Sequence, residues 1–409
     1  MRRLTIPNAG TQARQNVSSE LSELRGMSYE HLRLTRWPFP IVPEPAFCTF
    51  LADRQQLRGD IDVLLRSLSR QDASSIHLMW SWFGAGKTHT LFYFANCAAA
   101  LSKHGQRRLY AVYSEFPKSV RSFVDLYRSF ARGIHPEDLV DAYLEISTSA
   151  ASDQLKRELR TASPDLANAI NVLVTGTEST QTVAMRWLQG EALPASEFRT
   201  IGVSHKIATS EEASRIFSAL VSLLNLAARS QGNGLSRVVW LLDEFQRIEK
   251  LPPSTRDEIG VGLHSTFNAC PTGLSIIVSF SGRPQPQLPA WFSKELRDRI
   301  GRTKVLVLPP MTADQGAEFI RDVLSHWRSL EGWNAGPYFP FTEESCRFII
   351  EEIQRTEELK PRAIMHAFNA VLQEAEPLLE SGDMQTIEPE FASRILAEYV
   401  APPALDGDQ

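Results

Sequence analysis

An α/β fold is predicted: a P-loop core with a five-stranded parallel sheet, a large, mainly helical insertion, and a C-terminal all-α lid. Three observations in the 409-residue sequence lead there. Residues 81–88 read Ser-Trp-Phe-Gly-Ala-Gly-Lys-Thr, between an apolar run at 76–80 and a helix-like stretch at 89–100. Residues 238–242, Val-Val-Trp-Leu-Leu, are apolar throughout and end on Asp243-Glu244, the pattern of a strand buried on both faces of a parallel sheet. Strand-like runs alternate with helical periodicity on either side of these two segments.

Taken in order, residues 1–36 are polar, serine-rich and mildly basic, and are expected to form an arm. The proline-rich run at 37–45 excludes helix and is expected to run extended across the surface of the core. Leu57, Ile61, Leu64, Leu65 and Leu68 then mark an amphipathic helix ahead of the first strand. A second strand is read at 109–114, Leu-Tyr-Ala-Val-Tyr-Ser. Between 116 and 233 strand signal fades and helical spacing takes over, as at Phe123, Leu126, Tyr127 and Phe130, then Ile216, Leu220, Leu223 and Leu224. A compact core needs only a helix or two here, so 116–233 is read as an insertion that faces partners. A helix at 257–267 and strands at 274–281 and 304–308 complete the core, which spans 37–311. Helical segments at 317–327, 343–354, 362–375 and 389–399 form the lid, 312–400, and residues 401–409 are expected to be a disordered tail.

Composition narrows the classes. With 43% apolar residues the chain buries a large core, and a net charge of −5 gives no global pull towards nucleic acid or anionic membrane. Cys48, Cys97, Cys270 and Cys346 lack C-x-x-C spacing and do not cluster with the histidines, which favours thiols in a reducing cytoplasm over disulfides or zinc. No apolar stretch approaches the ~20 residues of a membrane span, and the first residues lack the apolar core of a signal peptide. A soluble, cytoplasmic protein with no membrane partner is expected.

Strand, glycine loop, Lys-Thr and helix form a P-loop. Backbone N–H groups of Ser81, Gly84, Ala85, Gly86, Lys87, Thr88 and His89, with the helix N-terminus, suit the β- and γ-phosphates of a nucleotide. Lys87 neutralises them and the Thr88 hydroxyl ligates Mg²⁺. One departure is Ser81, where the G-x-x-x-x-G-K-[ST] pattern has its first glycine, so that position must be one serine can adopt. Asp243 is read as the second Mg²⁺ residue, acting through its water shell, and Glu244 as the group that orients the attacking water. ATP and Mg²⁺ are therefore the expected cofactors. Ser114, ending the second strand, is either a polar contact to Glu244 or an ordinary strand residue, the second being the simpler reading.

A P-loop core followed by a helical lid resembles the AAA+ ATPases. Phe39, then Pro45-Ala46-Phe47, then a helix from about Asp53 is similar to the lead-in of the branch containing origin-recognition ATPases and TnsC-type transposition regulators. Met185-Arg186-Trp187-Leu188-Gln189-Gly190-Glu191 and Arg199-Thr200-Ile201-Gly202-Val203, upstream of Leu242-Asp243-Glu244, are similar to the ATP-binding proteins of BREX-type phage-exclusion systems. The resemblance implies that Ser279 and Ser281 are sensor-1 residues and that Arg362 is the sensor-2 arginine. It also implies that Arg297 or Arg299, in Leu-Arg-Asp-Arg-Ile-Gly-Arg, is an arginine finger acting on a neighbouring subunit. A homo-oligomeric ATPase then follows, serving as switch or motor with protein partners in mobile-element or antiphage defence. DNA would be met through the arm, the insertion or a pore. The alternative is a STAND-like nucleotide-gated signalling scaffold with little turnover.

Overall fold

The computed structural model describes residues 29–103, 109–149, 152–230, 236–282, 297, 305–328 and 336–400. The chain divides into two compact units: residues 43–310 form one, and the segment before 43 joins residues after 310 in the other.

The first unit carries the sheet. Its strands are β1 (Ser75–Ser81), β2 (Leu109–Glu115), β3 (Arg237–Asp243), β4 (Leu274–Ser281) and β5 (Leu306–Leu308), in the order β2-β3-β4-β1-β5 with every pair parallel. The register aligns Ser81 with Ser281 and Leu308, and Glu115 with Asp243. Alternation along the strands sorts the side chains into two layers. Met79, Val239, Leu241, Ile277, Leu306 and Leu308 face α1 (Gln55–Arg70) and α2 (Lys87–Lys103), which contribute Leu57, Ile61, Leu64, Leu65, Leu91 and Phe94 to the same layer. Ile76, Leu78, Trp80, Val112, Trp240, Leu242, Ile276 and Val278 face the other layer.

That second layer is where the insertion lies. It comprises α3 (Phe123–Arg132), α4 (Pro136–Ser147), α5 (Ser152–Ala162), α6 (Pro164–Thr175), α7 (Glu178–Leu188), α8 (Ala195–Thr200) and α9 (Ser210–Ser230). Ser122, Ser163 and Thr177 cap α3, α6 and α7 with their hydroxyls, which fixes where those helices start. The two ends of the insertion are core, not appendage: Phe130 of α3 lies 4.0 Å ring to ring from Phe217 of α9, and both stand 5.4 Å from Trp240 of β3. With α10 (Pro253–Ala269) these helices cover the sheet, while α4 and α5 pack on α9 and α6 packs on α7. Trp187 is fully buried in this outer layer and donates to His205 O at 2.8 Å. Asp165, 5% exposed, accepts from the Ser204 and His205 amides and so staples the loop after α8.

At the N-terminal end of the sheet Arg237 is 3% exposed. Its guanidinium donates to Leu274 O, Ala73 O, Gln71 O and Ser275 Oγ. Burial lowers its pKa to about 10, with Asp72 opposing the shift. His77 nearby is pushed down to about 4, first by burial and then by Arg237, and its Nε2 lies 3.0 Å from Ser75 Oγ.

The second unit holds α11 (Ala313–His326), α12 (Glu343–Thr356), α13 (Pro361–Ser381) and α14 (Pro389–Val400). Thr312 and Gln315 close a capping box on α11, and Thr342 caps α12. Residues 29–42 belong here. Leu32 and Leu34 are buried, Thr35 N–H donates to Trp327 O at 2.8 Å, and Trp37 Nε1 donates to Asn369 Oδ1 at 2.7 Å. Phe39, fully buried, meets Phe341 and Phe368 at 6.1 and 5.7 Å. The proline-rich run therefore divides: up to Val42 it serves the helical unit, and from Pro43 onward the sheet unit. No described helix is long and apolar enough to cross a membrane.

Candidate active site

Because β4 lies between β3 and β1, the C-terminal ends of these three strands adjoin, and ligands of parallel sheets sit outside such ends. β1 delivers the glycine loop. Ser81 is still strand, its carbonyl accepting the Gly282 amide at 2.9 Å, so an extended residue suffices where the pattern has glycine. The glycines that remain are the ones geometry demands: Gly84 and Gly86 have φ of +80° and +91°, left-handed values that a Cβ disfavours. Lys87 opens α2 and is 6% exposed, its Nζ donating to Trp82 O at 3.0 Å.

β3 delivers Asp243, whose side chain is the hub. Thr88 Oγ1 donates to Asp243 Oδ2 at 2.6 Å and Tyr113 Oη does so at 3.3 Å. Ser279 Oγ and the Glu244 amide donate to Oδ1, the latter at 2.8 Å. Asp243 is 1% exposed and makes no ion pair with a described residue. A buried carboxylate with four donors and no ion pair among the described residues, next to a threonine hydroxyl, is a set of hard oxygen ligands that a cation would complement. These residues fit Mg²⁺. The Tyr113 phenol is held neutral, its pKa raised by burial and by Asp243.

Glu244 follows in a left-handed conformation, φ +59°, unusual for a residue with a Cβ. Its Oε2 accepts from Gln246 Nε2 at 3.0 Å and lies 3.4 Å from Arg247 Nη2. Gln246 Oε1 in turn accepts the Ser281 amide at 3.0 Å. Arg247 Nη1 donates to Glu115 Oε2 at 3.1 Å and to Phe116 O at 2.6 Å.

The expected site residues are distributed as follows. Ser81, Gly84, Ala85, Gly86, Lys87, Thr88, Asp243, Glu244, Ser279 and Ser281 all belong to the glycine loop, to the first turn of α2 or to the C-terminal ends of β1, β3 and β4. Ser279 touches Asp243 directly, whereas the Ser281 hydroxyl is buried with no hydrogen-bond partner among the described residues and its amide meets Gln246. His89 spends its imidazole on the lead-in: Nε2 lies 2.8 Å from Phe50 O and Nδ1 3.4 Å from Cys48 Sγ. Burial lowers the His89 pKa and pushes the Cys48 thiol up to about 12, so both are neutral. Ser114 accepts from Trp240 Nε1 at 2.8 Å instead of meeting Glu244. Arg297 is exposed, Arg299 lies outside the described residues, and Arg362 is exposed on α13 of the helical unit. Tyr113, Glu115, Gln246 and Arg247 were not singled out from sequence. The available signal was two polar residues, Gln246 and Arg247, flanked by the buried Phe245 and Ile248 directly after Glu244.

No family model matches the sequence, and no curated protein does. Among solved structures, the ORC1 protein of Aeropyrum pernix in complex with DNA is 16% identical, with 89% of this chain and 69% of that one covered and a TM-score of 0.47. Domain III of the Thermotoga maritima replication initiation protein DnaA is 13% identical, with 89% and 100% covered and a TM-score of 0.43. Drosophila ORC bound to DNA is 13% identical, with 98% and 70% covered and a TM-score of 0.45. Overlays of this degree carry nothing about ligand or activity.

Proposed function

We propose that this chain is a Mg²⁺-dependent ATP-binding and hydrolysing protein of the AAA+ class that works as a switch or motor. The observation that carries the reading is the Thr88 hydroxyl 2.6 Å from the buried Asp243 carboxylate, beside a loop whose two left-handed glycines precede the buried Lys87. Lys87 and the loop amides hold the phosphates, and Thr88 and Asp243 hold the metal. Bound Mg²⁺ supplies charge neutralisation at the phosphate oxygens. Glu244 aligns the water. Ser279, bonded to Asp243, ties the end of β4 to the metal residue.

The finer reading follows the sequence resemblance. Arg297 or Arg299 serves as a finger in a homo-oligomer, a contribution of about 10³ to 10⁵ in rate. Arg362 on the helical lid reports loss of the γ-phosphate. The cellular role is partner-dependent and linked to mobile-element or antiphage defence.

The test uses the full chain. Lys87→Ala is expected to abolish binding of a fluorescent ATP analogue, and Glu244→Gln to bind ATP and retain it. Turnover per chain that rises with protein concentration supports assembly, and stimulation by duplex DNA supports the DNA-linked role. Undiminished binding by Lys87→Ala refutes the site. Tight binding with negligible wild-type turnover selects the STAND-like scaffold instead.

A further inference from the structure

We propose that Gln246 is a positioning residue that holds the Glu244 carboxylate from the end of β4; this rests on the reading of Glu244 as the group that aligns water. The Gln246 amide is bonded at both ends, and its orientation is not arbitrary. The Ser281 N–H is only a donor, so the end that meets it at 3.0 Å is Oε1, and Nε2 is thereby turned to Glu244 Oε2, also at 3.0 Å. Ser281 is the last residue of β4, paired with Ser81 where the glycine loop leaves β1. The carboxylate is thus referenced to the strand that adjoins the loop, not merely to its own turn.

Arg247 reinforces the same oxygen. Its Nη2 stands 3.4 Å from Glu244 Oε2 while Nη1 is fixed to Glu115 Oε2 and Phe116 O at the end of β2. Both donors address Oε2, leaving Oε1 with no partner among the described residues on a side chain 30% exposed. Oε1 is the oxygen presented to water. A glutamate on a left-handed residue has three side-chain torsions to settle, and misplacement by about 1 Å costs on the order of 10²-fold in rate. Gln246 removes that freedom without adding charge.

Four full-length proteins test this: wild type, Glu244→Gln, Gln246→Ala and Gln246→Glu. Gln246→Glu keeps an oxygen to accept the Ser281 amide but sets oxygen against oxygen at Glu244, so a residue that merely held β4 would tolerate it. Both Gln246 variants are expected to lose about 10- to 100-fold in kcat, with KM and nucleotide affinity within about twofold of wild type. In the nucleotide-free proteins, amide hydrogen exchange at Ser281 quickens in Gln246→Ala and not in Gln246→Glu. Wild-type kcat in Gln246→Glu, or a loss carried by KM, overturns the proposal alone, provided wild type turns over and Glu244→Gln is slow. An inactive wild type, or a Glu244→Gln protein as fast as wild type, takes down the reading of Glu244 and this proposal with it.

Discussion

The two ends of β3 each bury a charged side chain, and they satisfy it differently. At the first residue, Arg237 is enclosed by three carbonyls and the Ser275 hydroxyl, with Asp72 offsetting part of the burial penalty. At the last residue, Asp243 is enclosed by two hydroxyls from the strands, the Thr88 hydroxyl and one amide, with no ion pair to a described residue. The first arrangement is complete within the protein: it joins the loop before β1 to the start of β4. The second has hydrogen bonds enough but no ion pair with a described residue, the arrangement expected if a bound cation is to complete it. Hydrogen-bond satisfaction and charge compensation are thus separate quantities, and their difference is what distinguishes the two ends.

The comparison is tested most strongly at the Asp243 end. Asp243→Asn is expected to reduce Mg²⁺-dependent turnover on the order of 10³-fold or more, since the metal supplies several kcal/mol of charge stabilisation. Nucleotide-free stability should stay within about 1 kcal/mol of wild type, because the Thr88 and Tyr113 hydroxyls can turn to accept from the new amide. Denaturant titration and steady-state kinetics on one preparation check both halves. A large loss of stability would place Asp243 with Arg237 as a structural charge.

At the other end the pattern inverts. Arg237→Met removes the guanidinium donor from Leu274 O, Ala73 O and Gln71 O, leaves Ser275 Oγ only its Ser75 Oγ contact, and is expected to cost about 4 kcal/mol of folding free energy. Nucleotide affinity, measured calorimetrically on the folded fraction, should not change. Equal stability of Arg237→Met and wild type would remove the distinction between the ends.

The smallest expected effect concerns pH. His77 has a folded pKa of about 4 against an ordinary value of 6.5, so on acidification the unfolded chain takes up the proton first. Stability is therefore full above pH 6.5 and falls as pH drops towards 4, by up to about 3 kcal/mol. His77→Gln should flatten the melting temperature across that interval. An unaltered slope would mean that another group carries the acid sensitivity.

Much of the candidate site's geometry was legible because its residues are nearly consecutive in sequence. Gly84, Gly86, Lys87 and Thr88 run from one loop straight into the start of α2, and the apolar run into Asp243-Glu244 marks a buried strand and its end together. What escaped depends on distant contacts. Nothing local to His89 says that Phe50 O will take its ring, nor does Gln246 announce a bond to Ser281, 35 residues on. Helical spacing at Phe123, Phe130 and Ile216 identifies an apolar face but not what covers it, so the ends of the insertion read as an excursion although they roof the sheet. Residues 29–42 were hidden by their prolines and charges, which break any periodic apolar pattern, and Phe39 meets its partners Phe341 and Phe368 far later in the sequence.

That pairing of early and late segments has a consequence for biosynthesis. Leu32, Leu34 and Phe39 leave the ribosome long before Phe341 and Phe368 are made, and the entire sheet unit is translated in between. While synthesis proceeds, a nascent chain with a finished sheet still holds Phe39 without Phe341 and Phe368, a stretch open to a chaperone that binds unfolded apolar segments.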